Sequence, residues 1–184
     1  MRLPAHCRVR TIGYPWLAIR EVFQPSHGSM GILFALSTFY DEFTPFIQAV
    51  VKAFPERTII VRPHPNERDI FDASSAAKVA GIHIDTNEDI YDTFPVVDVV
   101  IGGLSTSLFE AIALGKRVFS KPSPRNKGVF ADMAVERYES VAELVEKLKQ
   151  PKPAASQKMQ DALFERNWKV NYKSFCSEIC DQAT

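Results

Sequence analysis

Twice in this chain a short apolar run ends abruptly in polar residues at the point where a helix should begin. The first run is Thr58, Ile59, Ile60 and Val61, which leads into Arg62, Pro63, His64, Pro65 and Asn66. The second is Val99, Val100 and Ile101, which leads into Gly102, Gly103 and the hydroxyl cluster Ser105, Thr106 and Ser107. Runs this short and this rich in β-branched residues read as strands buried on both faces, the kind that build parallel sheets. In such sheets ligands bind beyond the carboxyl ends of the strands, where both polar clusters would sit.

The same unit repeats around these two segments. Strands are predicted over 32–36, 58–61, 82–84, 97–101 and 118–119. Helices are predicted over 43–54, within 67–79, over 89–94, and from the Ser105–Ser107 cluster to a stop at Gly115. Phe43, Phe46, Ile47, Val50, Val51 and Phe54 fall at three-and-four spacing, the stripe by which a helix packs on a sheet. Strand and helix alternating about four times predict an α/β fold, a Rossmann-like parallel sheet with helices on both faces.

After Lys121 the pattern loosens. KPSPRNKG reads as a loop, 129–135 as holding a short edge strand, and 141–148 as a helix with Ser140 and Glu143 in a capping box. Pro151 and Pro153 precede a final helix over 156–179, whose Met159, Leu163, Trp168, Tyr172, Phe175 and Ile179 are expected on a packed side. Residues 1–30 do not fit the unit. A strand over 9–12, then Gly13 and Pro15, is compatible either with an interdomain hinge whose preceding domain is absent or with an irregular extension packed on the sheet. The expected organisation is an N-terminal extension or linker over 1–30, a nucleotide-binding domain over 31–153 and a C-terminal helix over 154–184.

With 184 residues and 46% apolar content, the chain suffices for one full core. Its 22 basic and 22 acidic residues cancel, and no basic stripe or zinc-finger spacing is present, so the footprint of a duplex nucleic-acid binder is missing. Cys7 stands alone, and Cys176 and Cys180 lie one helical turn apart without a second ligand pair. This predicts free thiols, no metal site and a reducing, cytoplasmic setting. No apolar run reaches the ~20 residues that span a bilayer, which leaves room for peripheral attachment to the inner face of a membrane.

His64 is the foremost catalytic candidate, because histidine exchanges a proton near neutral pH and Pro63 and Pro65 stiffen the backbone around it. Arg62 would meet a phosphate or pair with Glu67. Asn66 would cap the helix that follows, contact a ligand, or do both. One of Ser105, Thr106 and Ser107 must cap its helix, and three hydroxyls after two glycines exceed that need, so the turn suits an anion. Gly102 and Gly103 are expected to let the chain turn tightly there. Glu110, near the start of the same helix, would face hydroxyls such as a ribose diol. Ser37, Thr38 and Tyr40, after the first strand, would line the cleft alongside. GGLSTS is neither a Walker loop nor a dinucleotide fingerprint, and HExxH and GxSxG motifs are lacking, which argues against zinc and serine hydrolase chemistry.

RPHPNE, followed by a buried strand and GGLSTSLFEAIALGKRVF, resembles the C-terminal, nucleotide-binding half of a two-domain GT-B-type glycosyltransferase. The resemblance is nearest to bacterial surface-carbohydrate enzymes such as CDP-glycerol glycerophosphotransferases and capsule or polysialic acid transferases, and extends to UDP-N-acetylglucosamine 2-epimerases. It covers roughly residues 31–122, and GYP at Gly13 is similar to the segment that links the two halves. It implies a single GT-B C-terminal-type domain that takes a nucleotide-sugar or CDP-polyol donor, with no further cofactor, and transfers a sugar or polyol phosphate to a glycan acceptor. It also implies roles. His64 would contact the donor phosphates or assist the leaving group, with Arg62 and Asn66 beside it. Ser105, Thr106 and Ser107, with Gly103 and Ser37 near them, would hold the diphosphate, and Glu110 would meet ribose or sugar hydroxyls. An N-terminal partner domain is expected to supply the other half of the cleft. Two alternatives stand beside transfer: a nucleotide-sugar-binding or partner-binding module without catalysis, and an epimerase-like domain.

Overall fold

The computed structural model describes residues 30–124, 126, 128, 135–153 and 167–182. The expected strand over 9–12, Cys7, the GYP segment and the start of the final helix lie outside them.

Six strands form one sheet, β1 (Gly31–Ala35), β2 (Ile59–Arg62), β3 (Ile82–Ile84), β4 (Val97–Gly102), β5 (Arg117–Ser120) and β6 (Val135–Arg137), in the order β3-β2-β1-β4-β5-β6. Every neighbouring pair is parallel, as the apolar runs predict. The helices are α1 (Tyr40–Ala53), α2 (Arg68–Ala73), α3 (Thr106–Ala113), α4 (Val141–Lys149) and α5 (Trp168–Gln182).

Successive residues of β1 point to opposite faces and sort the core into two layers. Ile32, Phe34 and Leu36 pack with Phe43, Phe46, Ile47 and Val50 of α1, Phe71 of α2 and Leu144 and Leu148 of α4. Leu33 and Ala35 pack on the other side with Tyr91, Phe94 and Leu108, Ala111 and Ile112 of α3. Leu33, Ile47, Ile101 and Leu108 are fully buried, each such side chain contributing about 1.5–3 kcal/mol. Helices therefore cover both faces. The domain is a Rossmann-like α/β sheet, as expected.

The side on which strands are added reverses at β1. The connection through α1 places β2 on one side, and the later connection through 3-10 turns at Ile90–Asp92 and Phe94–Val96 places β4 on the other. A crevice opens at such a switch point. Gly102 sits at its floor for a steric reason: a Cβ there would lie 2.7 Å from the Ala35 carbonyl oxygen and 3.3 Å from Leu108 Cδ2. Neither Gly102 nor Gly103 adopts a left-handed conformation. Close approach of β1 and β4, and not a tight turn, requires the first glycine. Nothing in the backbone demands the second.

Several local readings change. The helix expected within 67–79 breaks into a 3-10 turn at Pro65–Glu67, α2, and another turn at Ala76–Lys78, because Ser74 is extended and its hydroxyl bonds back to the Phe71 carbonyl. The helix at 89–94 is two 3-10 turns. Ser140 caps α4 as predicted, its Oγ accepting from Glu143 N–H at 3.2 Å. On α5, Tyr172 is exposed, whereas Trp168 and Phe175 are half-buried.

The Leu114, Gly115, Lys116 stretch is structural. Gly115 takes φ +71 to end α3, and the buried Lys116 ammonium donates to the carbonyls of Phe94 and Val97 at 2.7 and 2.8 Å, fixing the entry to β4 at the edge opposite the crevice. Desolvation holds the Lys116 pKa below the usual lysine range.

Candidate functional site

The carboxyl ends of β1 and β2 and the start of α3 enclose a cavity of about 210 Å3. Its walls are Ala35 and Leu36 from β1, Arg62, Pro63, His64 and Pro65 from the end of β2, Ile90, and Ser105, Thr106, Ser107 and Glu110 from α3. The imidazole after the second strand and the hydroxyls after the fourth thus share one pocket. Of the sequence-predicted site residues, His64, Arg62, Ser105, Thr106, Ser107 and Glu110 line it.

Local structure explains how each is presented. Ser105 is extended at the N-cap of α3, and its Oγ accepts from Ser107 N–H at 3.3 Å and lies 2.7 Å from Ser107 Oγ. The cap is therefore Ser105, and the amino end of α3 and its hydroxyls face the cavity together. Glu110 lies in the second turn of α3, beyond the strongest part of the helix dipole. His64 is exposed, and its Nδ1 accepts from Asn66 N–H at 3.3 Å. Nδ1 is thereby engaged by the backbone of its own turn.

Asn66 consequently does not cap the following helix. The cap of the 3-10 turn is the His64 side chain, and α2 begins after Glu67 without any side-chain cap. Asn66 lines none of the described cavities.

Arg62 is paired differently from either sequence reading. Its Nη1 donates to Asp85 Oδ2 at 2.7 Å and to the Asn87 carbonyl at 3.0 Å, and its Nη2 donates to the Glu88 carbonyl at 2.9 Å. Asp85 also accepts from Thr93 Oγ1 at 2.6 Å and from Asn87 N–H at 3.1 Å. This buried network ties the segment after β3 to the end of β2. The Arg62 charge is compensated inside the protein, which leaves His64 and the α3 start as the anion-facing groups.

Glu67, the other partner proposed for Arg62, belongs to a second brace. Its Oε2 accepts from Tyr40 Oη at 2.6 Å and Thr38 N–H at 2.9 Å. Those bonds, with the nearby His64, hold its carboxyl below the usual range. Burial and the Glu67 partnership push the Tyr40 phenol up to about 12. Tyr40 is a buried strut and not a cleft residue. Thr38 and Phe39, clamped between, both adopt left-handed backbone at φ 53 and 51, a conformation that costs a bulky residue energy.

Ser37 and Gly103 line a neighbouring cavity of about 340 Å3, with Thr38, Phe39, Glu42, Phe43, Leu104, Lys121, Pro122 and Ser123. A third cavity, about 270 Å3, adjoins the first on the β3 side and shares Arg62, Pro63 and Pro65 with it.

No protein-family model matches the sequence, and no curated protein matches it significantly. Solved structures do resemble it. UDP-GlcNAc 2-epimerase from Neisseria meningitidis superposes with a TM-score of 0.54 at 15% identity, over 91% of this chain and 48% of that one. Wall teichoic acid polymerase TagF gives 0.52 at 16% identity, over 89% and 43%. A TagF variant gives 0.53 at 15% identity, over 92% and 48%. The fold is that of a GT-B C-terminal-type domain. The chain spans less than half the length of these proteins, and at such identities the likeness is one of fold.

Sequence reasoning missed the roles of three residues that shape this site. Asp85 neutralises Arg62, Glu67 braces the loop after β1, and the buried Asn126 joins the loop after β5 to the β4–α3 turn. The Asn126 Nδ2 donates to the Lys121 carbonyl at 2.8 Å, Ser120 Oγ at 3.2 Å and the Gly103 carbonyl at 3.4 Å. Only Glu67 carried a signal, its place beside His64. Among the described residues no cluster of His, Cys, Asp or Glu could hold a metal ion, and no helix is long and apolar enough to cross a membrane.

Proposed function

We propose that this domain binds the nucleotide-activated donor in the transfer of a sugar or polyol phosphate to a glycan acceptor. The observation that supports this reading is the convergence of His64 with Ser105, Thr106 and Ser107 on one cavity at the sheet's switch point. Transfer leaves negative charge on the departing nucleotide phosphate. Helix-start N–H groups and hydroxyls stabilise such charge, and a protonated imidazole can neutralise it or donate to the bridging oxygen. Glu110 is a poor neighbour for a phosphate and a good acceptor for ribose hydroxyls, and the cavity beside Thr86, Asn87 and Glu88 leaves room for the base. A second domain, as in the longer proteins of this fold, would bring the acceptor.

Calorimetric titration of the full chain with UDP-, CDP- and CMP-linked donors tests the proposal. Binding to at least one is expected, with His64→Ala weakening it about tenfold or more while leaving the melting temperature nearly unchanged. Absence of binding to all of them at millimolar concentration, in a folded sample, would refute it. Turnover on adding an N-terminal GT-B domain in trans separates a transferase from a binding module that merely holds the nucleotide.

A further inference from the structure

The cavity next to the His64 pocket has its own chemistry, and the two share no lining residue. Their walls are nevertheless consecutive in the chain: Leu36 faces one and Ser37 the other, as do Ser105 and Leu104. A ligand anchored by its phosphates at the α3 start would reach the second space directly. That space is the larger, about 340 Å3 against about 210 Å3.

Its lining combines apolar and polar groups. Phe39, 66% exposed, and Leu104, 41% exposed, flank it, with Phe43 and Pro122 also in the lining. Among the polar groups Lys121 Nζ bonds Glu42 Oε2 at 2.6 Å and lies 5.5 Å from the Phe43 ring centroid, and Ser37, Thr38 and Ser123 add hydroxyls. Phe39 is held out by its left-handed backbone, itself fastened through Thr38 to Glu67. Phe39 and Leu104 together put exposed apolar surface on the lining of one cavity, the setting in which such surface marks a ligand-binding groove.

We infer that this second cavity receives a pyranose ring, so that the group carried by the donor is a cyclic sugar and not a short polyol. This rests on the proposed donor-binding function. A pyranose has an apolar C–H face that suits Phe39 and Leu104, and a hydroxyl rim that suits the Glu42 carboxylate, the Lys121 ammonium and the serines. A three-carbon polyol has no such face and would leave most of the space unfilled. The sugar site therefore lies over β4 and β5, with the nucleoside on the β3 side of the phosphates.

Saturation-transfer NMR and calorimetry on the full chain test this. The probes are UDP, CDP and CMP, each alone and as UDP-GlcNAc, CDP-glucose and CMP-N-acetylneuraminate, with CDP-glycerol as the acyclic comparison. At least one sugar conjugate should bind more tightly than its parent nucleotide and show saturation of its ring C–H protons. Phe39→Ala, at an exposed position, should weaken that conjugate about tenfold and leave the parent nucleotide's affinity as it was. Nucleotide binding with no gain from any sugar, a greater gain from glycerol, or an unchanged conjugate affinity in Phe39→Ala would overturn the inference while sparing the donor-binding proposal. Failure of every nucleotide to bind would overturn both.

Discussion

Glu67 and Asp85 show how much of this site depends on carboxylates whose partners the sequence does not reveal. Glu67 joins the loop after β1 to the loop after β2 across 29 residues of chain, and Asp85 holds Arg62 across 23. Neither partner could be read from the sequence, which placed Glu67 near His64 but not against Thr38 and Tyr40, since each pairing is created by neighbouring parallel strands whose order is a tertiary fact. Asp85→Ala leaves the Arg62 guanidinium buried without its counter-ion, and a loss of about 3–5 kcal/mol is expected in denaturant unfolding. Three carboxylates have pKa values held down in the folded state: Asp41 by hydrogen bonds from Ser75, Glu67 by Tyr40 and Thr38, and Glu143 by Lys147 and the Glu139 N–H. A depressed folded-state value means stability that is present above the ordinary carboxylate range, about pH 4, and is lost as pH falls through that range toward the lower folded values. Melting temperature should accordingly drop on acidification below about pH 4.5, and Glu67→Gln should show a shallower drop than the unsubstituted chain.

At the scale of elements, the strands and two of the caps were legible because they rest on local chemistry, while Asn66 yielded its expected cap to His64. Apolar β-branched runs at 58–61 and 97–101 place β2 and β4 within a residue, and Ser105 and Ser140 cap as short polar residues before amphipathic stretches do. The broken helix after His64 was not legible, since the break depends on a Ser74 hydroxyl competing for a backbone carbonyl. The loop after β1 was opaque too. Two consecutive left-handed residues without a glycine contradict local preference, and only the Glu67 clamp explains them. His64, Arg62, Ser105, Thr106, Ser107 and Glu110 line the one cavity, because strand ends could be located; Ser37, Thr38, Tyr40, Gly103 and Asn66 fell elsewhere, because side-chain direction within a turn could not. The cap and the candidate anion contact at α3 can be separated by substitution. Ser105→Ala should cost about 1 kcal/mol and weaken nucleotide binding. Ser105→Asp should keep the stability, as an aspartate caps equally well, yet bind nucleotide worse still by repelling phosphate. Parallel thermal melts and calorimetry would check both.

For the molecule as a whole, the two-layer core and the crevice answer to different residues. Ile101, fully buried where β4 meets the α1 side of the core, should lose about 2–5 kcal/mol on truncation to alanine, measured by urea unfolding, whereas the exposed His64 tolerates the same change. That contrast separates scaffold from site without any assumption about the ligand. Because no side chain belongs to both the His64 cavity and its larger neighbour, mutations can accumulate on one wall while the other keeps its contour. Under the proposed function, one cavity could therefore change what it holds without disturbing the other, and loops grafted at Phe39 and Ser123 would probe that independence.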